Sequence, residues 1–264
     1  MDTNKHNKQA WNTGAYEAWL QRFGTPEQAA IKIKKDPLTR IGSLYPYMGE
    51  NVKNKKIINL LGSNGNKAVA LALLGAHVTV ADFSKENERY AKELAAEVGV
   101  TLRYIVSDVL HLPSEELSGD YDIVLMEFGI LHYFTDLSPL FEVVKKLLRK
   151  GGLLVLQDFH PITTKLISSK GTTAKIRKHK VTGNYFDTAL EEKEIAFSKF
   201  SSTDSDTEQT DKVYLRNWTL GEIVTAVAQQ GLHIQRLDEL PNQSSDVFDQ
   251  GIPKSFILTA EKLL

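Results

Sequence analysis

Cysteine is absent from the 264-residue sequence, and its absence excludes several classes of site. Without thiols there is no disulfide framework, no thiolate nucleophile and no cysteine-ligated metal. No run of eighteen apolar residues occurs, and the polar start, MDTNKHNKQAWNTG, lacks the apolar core of a secretory signal. We therefore expect no membrane segment and a cytoplasmic location.

Net charge is also nearly absent. Thirty-two Lys and Arg residues oppose thirty-three Asp and Glu residues, which leaves a formal charge of −1. Such a balance provides no overall field toward nucleic acid or an anionic membrane, so both count as improbable partners. The apolar fraction of 42% is ample for the core of one large domain, or of a domain with a small cap.

The first part of the chain, residues 1–56, has aromatic residues at helix-like spacing. Trp11, Tyr16, Trp19 and Phe23 form the first set, and Thr25-Pro26-Glu27 then supplies a cap residue followed by Pro at the first helical position. This pattern predicts two or three short helices, which we interpret as an N-terminal helical cap.

From Lys56 onward, short apolar segments alternate with amphipathic stretches, and we assign residues 57–264 to a second domain. The apolar segments are β-branched and almost free of charge; they cover 57–61, 77–82, 102–108, 121–127 and 153–159. Strand and helix alternating in this way predict an α/β fold, a parallel sheet covered on both faces. Two further segments, LHIQRL and SFILTAEK, have no helix between them and should pair antiparallel at the sheet edge.

Residues 160–216 interrupt the alternation. Positions 165–180 contain six basic residues and no acid, whereas 187–211 contain eight acids and two lysines. We interpret this segment as an insert after the fifth strand that serves as a substrate lid. The basic run is either a solvated surface paired with the acidic run or a lid that closes on an acidic metabolite.

A glycine-containing loop, Asn59-Leu60-Leu61-Gly62-Ser63-Asn64-Gly65-Asn66, lies between the first predicted strand and a helix. Glycine lets the backbone pass close to a ligand and adopt positive φ, and the following helix presents free N–H groups to an anionic group. Asp82 ends the second strand, where an acid beside the loop can accept both hydroxyls of a ribose. Together the loop and Asp82 predict a nucleoside-containing cofactor, although Asp82 could instead cap the next helix.

Five segments together resemble the class I S-adenosylmethionine-dependent methyltransferases, over roughly residues 50–160 and the terminal hairpin. These segments are NLLGSNG (59–65), VTVADFS (78–84), VSDVLHLP (106–113), YDIVLMEFGILHYF (121–134) and LLRKGGLLVLQDF (147–159). A nicotinamide-dependent dehydrogenase would share only the first two. The resemblance implies a three-layer Rossmann-like fold, a seven-stranded sheet with an antiparallel last strand.

The resemblance also implies S-adenosyl-L-methionine as the cofactor and assigns residues to it. Asp82 takes the ribose place, Phe83 flanks the adenine, and Asp108, with Val109 beside it, matches the acid that meets the adenine amino group. The remaining cofactor-binding candidates are Asn59, Gly62, Ser63, Gly65, Glu127 and Phe128.

The loop departs from the family pattern in a way that affects affinity. With Gly65 as the third family glycine, Leu61 and Ser63 hold the first two glycine positions, and Asn59 replaces the usual acid. Asn59 can accept a hydrogen bond from an ammonium group but lacks the charge, which predicts roughly five- to tenfold weaker binding. A cofactor-binding scaffold without catalysis therefore stays open as an alternative.

The segment after the fourth strand contains the first candidate catalytic residue. His132 can accept a proton near neutral pH, although a structural part of the turn is the plainer interpretation. Glu127 could serve as the base or contact the methionine ammonium. His160, which follows the fifth strand and which Asp158 could orient, is the second catalytic candidate. We expect no metal, because these histidines have no third ligand at helical spacing.

The substrate is expected to meet the N-terminal helices and the insert. Aromatic and basic residues there could build a mostly apolar pocket or could form the core of the cap itself. The candidates are Tyr16, Trp19, Tyr133, Tyr185 and Arg216, with Tyr47, Phe186, Tyr214 and Trp218 nearby.

The predicted reaction is methyl transfer to O, N or C of a small-molecule acceptor. Methylation of tRNA or rRNA is the alternative; the near-neutral charge and the lack of an Asn-Pro-Pro-aromatic motif after the fourth strand count against it.

Overall fold

The computed structural model describes residues 14–168, 180–194, 212–241 and 251–264. Trp11 and most of the basic and acidic runs of the insert lie outside these ranges. In the described part of the chain, seven strands form one sheet in the order β10-β11-β5-β4-β1-β2-β3. These strands are β1 (Lys56–Leu60), β2 (His77–Asp82), β3 (Arg103–Val106), β4 (Tyr121–Glu127), β5 (Leu148–Phe159), β10 (Leu232–Leu240) and β11 (Ser255–Lys262).

The five strands β1 to β5 run parallel, and β11 is antiparallel to both β5 and β10. The predicted Rossmann-like sheet with an antiparallel last strand is confirmed. Leu60 pairs with Ala81 on one side and Met126 on the other, so the carboxyl ends of β1, β2 and β4 meet at one edge. β5 begins at Leu148 instead of the predicted Leu153, because the chain enters the strand directly after the preceding helix.

Helices cover both faces of the sheet because successive residues of its buried strands point in opposite directions. Ile57 packs in the cluster beneath α4 (Asn66–Leu73) and α5 (Lys85–Val98). Ile58 packs in the other cluster, beneath α6 (Ser138–Leu147) and α7 (Leu220–Gln229). Both residues are fully buried, which explains why these strands contain apolar runs without alternation.

The N-terminal region forms three short helices, α1 (Ala15–Phe23), α2 (Pro26–Lys35) and α3 (Pro37–Ile41), followed by a 3₁₀ turn over Gly42–Tyr47. Thr25 and Gln28 make a capping box at the start of α2, as the cap residue followed by Pro predicts. Buried residues of all three helices belong to the same cluster as Ile57. The cap is therefore packed into the core of the sheet domain.

The insert contributes two small hairpins in the part that the structure describes. A π-helical turn (Ile162–Leu166) precedes β6 (Ile167–Ser168), which pairs with β7 (Lys180–Val181); β8 (Leu190–Glu194) pairs with β9 (Lys212–Arg216). Lys165 is buried and donates to the backbone oxygens of Asp187 (2.5 Å) and Asn217 (2.8 Å). This lysine thereby attaches the β8–β9 hairpin to the end of β5. Among the described helices, none is both long and apolar enough to cross a membrane.

Candidate functional site

The loop after β1 has an unusual backbone at the sheet's carboxyl edge. Leu61 and Ser63 both have a φ of 49°, and Gly65 has a φ of 69°. A non-glycine residue adopts this left-handed region at a steric cost. The two positions that the family fills with glycine thus keep a glycine-like conformation here although their side chains are Leu and Ser.

The two glycines that remain in the loop are required by close packing. A Cβ on Gly62 would lie 2.6 Å from Asn59 Oδ1 and 2.8 Å from Val80 Cγ1. A Cβ on Gly65 would lie 2.7 Å from the Cβ of Ala91 on α5. The absence of a side chain at both positions therefore lets the loop pack closely against β2 and α5 at the ends of the strands.

Asp82 lies at the end of β2 and is almost completely buried. Its Oδ1 accepts hydrogen bonds from the Ser84 amide (2.9 Å) and from Asn87 Nδ2 (3.1 Å), while its Oδ2 accepts from the Ser63 amide (3.2 Å). Burial raises the pKa of Asp82, and the three donors oppose that rise. The N-cap of α5 is Ser84, whose side chain accepts from the Asn87 amide (3.3 Å), so the capping role considered for Asp82 belongs to Ser84.

Three buried polar atoms around the loop have no hydrogen-bond partner among the described residues: Asn59 Oδ1, Ser63 Oγ and Asn66 Oδ1. Unpaired buried polar groups are costly, and their clustering at one loop fits a polar ligand bound there. Asn59 is fully buried beneath Gly62, with its Nδ2 donating to the Leu125 oxygen (3.3 Å). A direct contact of Asn59 with an ammonium group would therefore need the loop to shift.

The end of β3 lies beside Asp82, because the Ser107 amide donates to the Asp82 backbone oxygen (3.1 Å). Asp108 caps the following 3₁₀ turn, accepting from the Leu110 amide (3.0 Å) and lying 3.2 Å from His111 Nδ1. Its side chain keeps 30% exposure, so an oxygen can still meet a ligand. Val109 is buried and Phe83 half-buried, and both are at the same edge of the sheet.

Glu127, at the end of β4, forms an ion pair with Lys67 in the first turn of α4. Lys67 Nζ also lies 5.6 Å from the centre of the Phe128 ring. Sequence reasoning missed Lys67, although its position just after the glycine loop could have indicated it. The pair places a cation and an anion together between the loop and β4, beside the N-terminus of α4.

Residues 61–156 match the family model described as a methyltransferase domain. The structure of an S-adenosylmethionine-dependent methyltransferase from Mesorhizobium loti is similar, with a TM-score of 0.61, 19% identity, and coverage of 82% of this chain and 95% of that one. The structure of magnesium protoporphyrin IX methyltransferase from Synechocystis PCC 6803 with bound SAH is also similar. Its TM-score is 0.62 at 16% identity, and the match covers 99% of this chain and 100% of that one. Over residues 61–156, about a third of the chain, the sequence is therefore similar to a methyltransferase domain, and the fold is that of S-adenosylmethionine-dependent methyltransferases of known structure.

Among curated proteins, a demethylmenaquinone methyltransferase from Thermus thermophilus is 31% identical over 109 residues, which are 40% of this chain and 48% of that protein. The chain spans about half the length of the curated relatives it matches. The residues that match the family model include the glycine loop from Leu61 onward, Asp82, Asp108 and the turn after β4.

The turn after β4 is anchored by Asp158 on β5. This buried carboxylate accepts hydrogen bonds from the amides of Gly129 (2.7 Å), Ile130 (3.3 Å) and Leu131 (3.0 Å). Trp218 fixes the same turn from the other side, because its Nε1 donates to the Leu131 oxygen (3.0 Å). The expectation that Asp158 orients His160 is wrong, since its oxygens are directed at these backbone amides.

Phe128 begins this turn in a left-handed conformation, with a φ of 37°. Its amide donates to the Gln157 oxygen (2.7 Å), and its ring lies 5.3 Å from that of Phe159. The two rings stay 40% and 46% exposed at the ends of β4 and β5. A bulky residue held in a strained conformation, with its ring exposed next to a crevice, is typical of a functional site.

His132 lies in the same turn, with its ring centre 4.5 Å from that of Tyr133. Burial lowers the pKa of His132, and the negative charges of Asp158 and Glu191 oppose that shift only in part. The imidazole is therefore neutral at pH 7 and able to accept a proton. His132 also lines a small cavity with Thr164 and Trp218. The β8–β9 hairpin packs against the turn that contains His132, and the charge of its Glu191 acts on the imidazole.

His160 has a different setting. Its Nδ1 accepts from the Ile162 amide (3.1 Å) and its Nε2 lies 2.7 Å from Glu239 Oε1, while the side chain is only 1% exposed. Both ring nitrogens are thus occupied within the protein. This geometry does not support the predicted catalytic role of His160, and we assign it a structural role at the junction of β5 and β10.

Four of the predicted substrate residues use their polar groups within the fold. The Tyr16 hydroxyl donates to Glu93 on α5, and Trp19 Nε1 donates to Asn87 (2.7 Å). The Tyr185 hydroxyl accepts from the Leu220 amide (3.1 Å). Arg216 donates to the Thr135 oxygen and to Glu222, with its guanidinium 3.4 Å from the centre of the Trp218 ring.

The structure therefore brings only Tyr133, of the predicted substrate residues, next to the candidate base. For the other four it favours a structural role. In the described part of the chain, no group of three or more His, Asp or Glu side chains could hold a metal ion.

Proposed function

We propose that this methyltransferase transfers a methyl group from S-adenosyl-L-methionine to a small-molecule acceptor in the crevice between the glycine loop and the turn after β4. The observation that carries the proposal is Asp82: a buried carboxylate at the end of β2, held by three donors, with Oδ2 accepting only one of them. Since a carboxylate oxygen can accept two hydrogen bonds, Oδ2 can still accept one from a ribose hydroxyl.

Neighbouring residues are assigned to the other parts of the cofactor, the adenine and the methionine. Phe83 and Val109 would flank the adenine, and Asp108 would accept from its amino group. At the other end of the crevice, the methionine part carries an ammonium and a carboxylate. Glu127 and Lys67 offer the opposite charges, and the N-terminus of α4 also favours an anion.

When bound, S-adenosylmethionine supplies a methyl group already activated by the positively charged sulfur, so the protein needs mainly to align the acceptor. The rings of Phe128 and Phe159 would exclude water from that side of the crevice and face the positive charge. His132, neutral at pH 7, would accept the proton of an acceptor hydroxyl or ammonium group. An acceptor without such a proton would need no base.

A small acceptor is favoured by what surrounds His132. The β8–β9 hairpin lies near His132 and is fixed to the end of β5 by Lys165. Its described residues contain three acids, Glu191, Glu192 and Glu194, balanced by Lys193, Lys212 and Arg216, and two of the acids are paired with lysines. The described hairpin therefore offers no net positive charge to a phosphate backbone or to an acidic metabolite.

Isothermal titration tests cofactor binding directly. We expect the purified protein to bind S-adenosylmethionine and its product S-adenosylhomocysteine with saturable heat. No heat at millimolar ligand would overturn the proposal and leave a scaffold that has lost the cofactor.

The acceptor class needs a second experiment. Methyl-labelled S-adenosylmethionine would be incubated with the protein and a cell extract, and the label would then be partitioned. We expect the label in a dialysable, nuclease-resistant product that chromatography separates from unreacted S-adenosylmethionine and that does not form when the protein is left out. Label retained in nuclease-sensitive material would instead support RNA methylation, and label retained in protease-sensitive material would support protein methylation.

A further inference from the structure

The carboxylate of Asp82 is held in a defined orientation by donors from three places. Its Oδ1 receives the Ser84 amide (2.9 Å) and Asn87 Nδ2 (3.1 Å), which fills both of its acceptor positions. Its Oδ2 receives only the Ser63 amide (3.2 Å). Of these donors, the Asn87 amide is the one that comes from a side chain, and its orientation is therefore the one that can change.

The orientation of the Asn87 amide is set by a residue of the N-terminal cap. Trp19 Nε1 donates to Asn87 Oδ1 at 2.7 Å, and both side chains are buried, at 5% and 1% exposure. An indole N–H can only donate, so it requires the amide oxygen to face Trp19. The amide nitrogen then has to face Asp82. The three residues form one hydrogen-bonded chain from helix α1 to the predicted ribose acceptor.

Other contacts between α1 and α5 do not reach Asp82. The Tyr16 hydroxyl donates to Glu93, further along α5, and the Tyr90 hydroxyl donates to the Gly24 oxygen (3.0 Å) just after α1. These bonds hold the cap on α5 but have no part in orienting the carboxylate. Of the three bonds, the Trp19–Asn87 bond is the one that continues to Asp82. The Tyr90–Gly24 bond, which joins the same two parts of the fold, therefore serves as the control.

We propose that Trp19 is a positioning residue for the cofactor: through Asn87 it fixes the Asp82 carboxylate, so that docking of helix α1 and binding of the nucleoside stabilise each other. The inference rests on the proposed function, because it needs Asp82 to bind the ribose. Coupling of this kind is reciprocal, so the cofactor must also stabilise the docked helix.

The affinity test compares Trp19→Phe with Tyr90→Phe, each of which removes one hydrogen bond between the cap and α5 and keeps an aromatic ring. Titration with S-adenosylhomocysteine should show roughly three- to tenfold weaker binding for Trp19→Phe and an unchanged affinity for Tyr90→Phe. Equal affinities for Trp19→Phe and the unmodified protein would overturn the inference and leave the proposed function intact. Absence of binding by the unmodified protein would overturn both.

A double-mutant cycle separates positioning from general stabilisation. Trp19→Phe is combined with Asn87→Ala, and the S-adenosylhomocysteine affinity of the double variant is compared with that of Asn87→Ala alone. If Trp19 acts through Asn87, its replacement should cost nothing further in the Asn87→Ala protein. Fully additive losses would mean that Trp19 acts by another route, and would overturn the inference.

The reciprocal effect is measured by amide hydrogen exchange. S-adenosylhomocysteine should slow exchange in α1 of the unmodified protein, and this protection should be lost in Trp19→Phe but kept in Tyr90→Phe. Unchanged exchange in α1 on ligand addition, at saturating ligand, would contradict the proposed coupling.

Discussion

The two sides of the crevice bring their residues together over very different distances along the chain. On the cofactor side, Ser63 and Asp82 are 19 positions apart and Asp82 and Asn87 only five. On the acceptor side, Leu131 meets Asp158 across 27 positions and Trp218 across 87. The cofactor side is thus assembled from neighbouring strand–loop–helix units, whereas the acceptor side depends on the insert and on the far end of the sheet domain.

This difference explains why residues can be assigned to the cofactor with more detail than to the acceptor. Neighbouring units of a parallel sheet place their carboxyl ends at one edge by the rules of the fold, so a loop and an acid with the right spacing must meet. The acceptor side has no such rule, and its turn is held by single anchors such as Asp158.

The largest effect is expected for the candidate base on the acceptor side. His132→Gln should lower kcat by roughly 100-fold or more, if the acceptor carries a proton that His132 removes, and should leave S-adenosylhomocysteine affinity within about threefold. The measurement is steady-state kinetics together with titration. An equal loss in cofactor affinity would break the separation of the two sides.

The pH profile gives the matching control for His132. Because burial lowers its pKa, His132 is neutral, and so available as a base, throughout the neutral pH range. The value of kcat should therefore fall only when the pH drops through that lowered pKa. His132→Gln should lose this acid limb. The same shift destabilises the fold at acid pH: below about pH 6.5 the unfolded imidazole binds a proton that the native one does not, so the free energy of unfolding falls.

On the cofactor side, Asp82→Ala should weaken S-adenosylhomocysteine binding by roughly 100-fold, since hydrogen bonds to a charged, buried acceptor are lost. Asp120→Asn is the control, because this exposed acid pairs with Lys56 at the opposite edge of the sheet. If Asp82→Ala lowered the affinity for S-adenosylhomocysteine by less than about threefold, the proposal that Asp82 binds the ribose would be contradicted.

Asp158→Ala tests whether one anchor holds the acceptor turn. Four backbone amides, those of residues 129–131 and 159, lose their acceptor, so the free energy of unfolding should fall by about 2 kcal/mol or more in urea denaturation. Asp136→Ala, which frees only the Ser138 amide, should cost less than half as much. Similar losses in both variants would mean that Asp158 is not a special anchor.

The smallest effect is expected in the glycine loop. Ser63→Gly removes a side chain from a left-handed residue and also removes a buried, unpaired hydroxyl, so it should stabilise the protein by about 0.5 kcal/mol, or about 1–2 °C in Tm. Ser63→Ala keeps the Cβ and is the control. An equal gain from both variants would show that the hydroxyl, and not the backbone strain, is responsible.

Much of the cofactor side could be predicted from the sequence. The loop over residues 59–65, the acid at the end of β2 and Asp108 after β3 all occupy the expected edge, and the predicted fold is confirmed. What could not be predicted is the pairing of charges across the crevice. Lys67 was missed because a lysine in the first turn of a helix resembles any solvated residue until the partner strand brings Glu127 beside it.

Fewer expectations hold on the acceptor side. Sequence proximity suggested that Asp158 orients His160, yet Asp158 binds the turn after β4 and Glu239 binds His160. The partners come from different strands, and residues on neighbouring strands have no fixed separation in sequence. The same reason applies to Tyr185 and Arg216, whose polar groups are taken up at the start of α7.

The sequence by itself determined the order of strands and helices and the position of the loop and the acid, because these depend on short-range periodicity and on residues a fixed distance apart. Only the tertiary structure decided which donor faces which acceptor: Trp19 to Asn87, Lys67 to Glu127, Asp158 to the turn. A hydrogen bond or ion pair needs its atoms within about 3 Å, and packing of distant segments alone sets that distance.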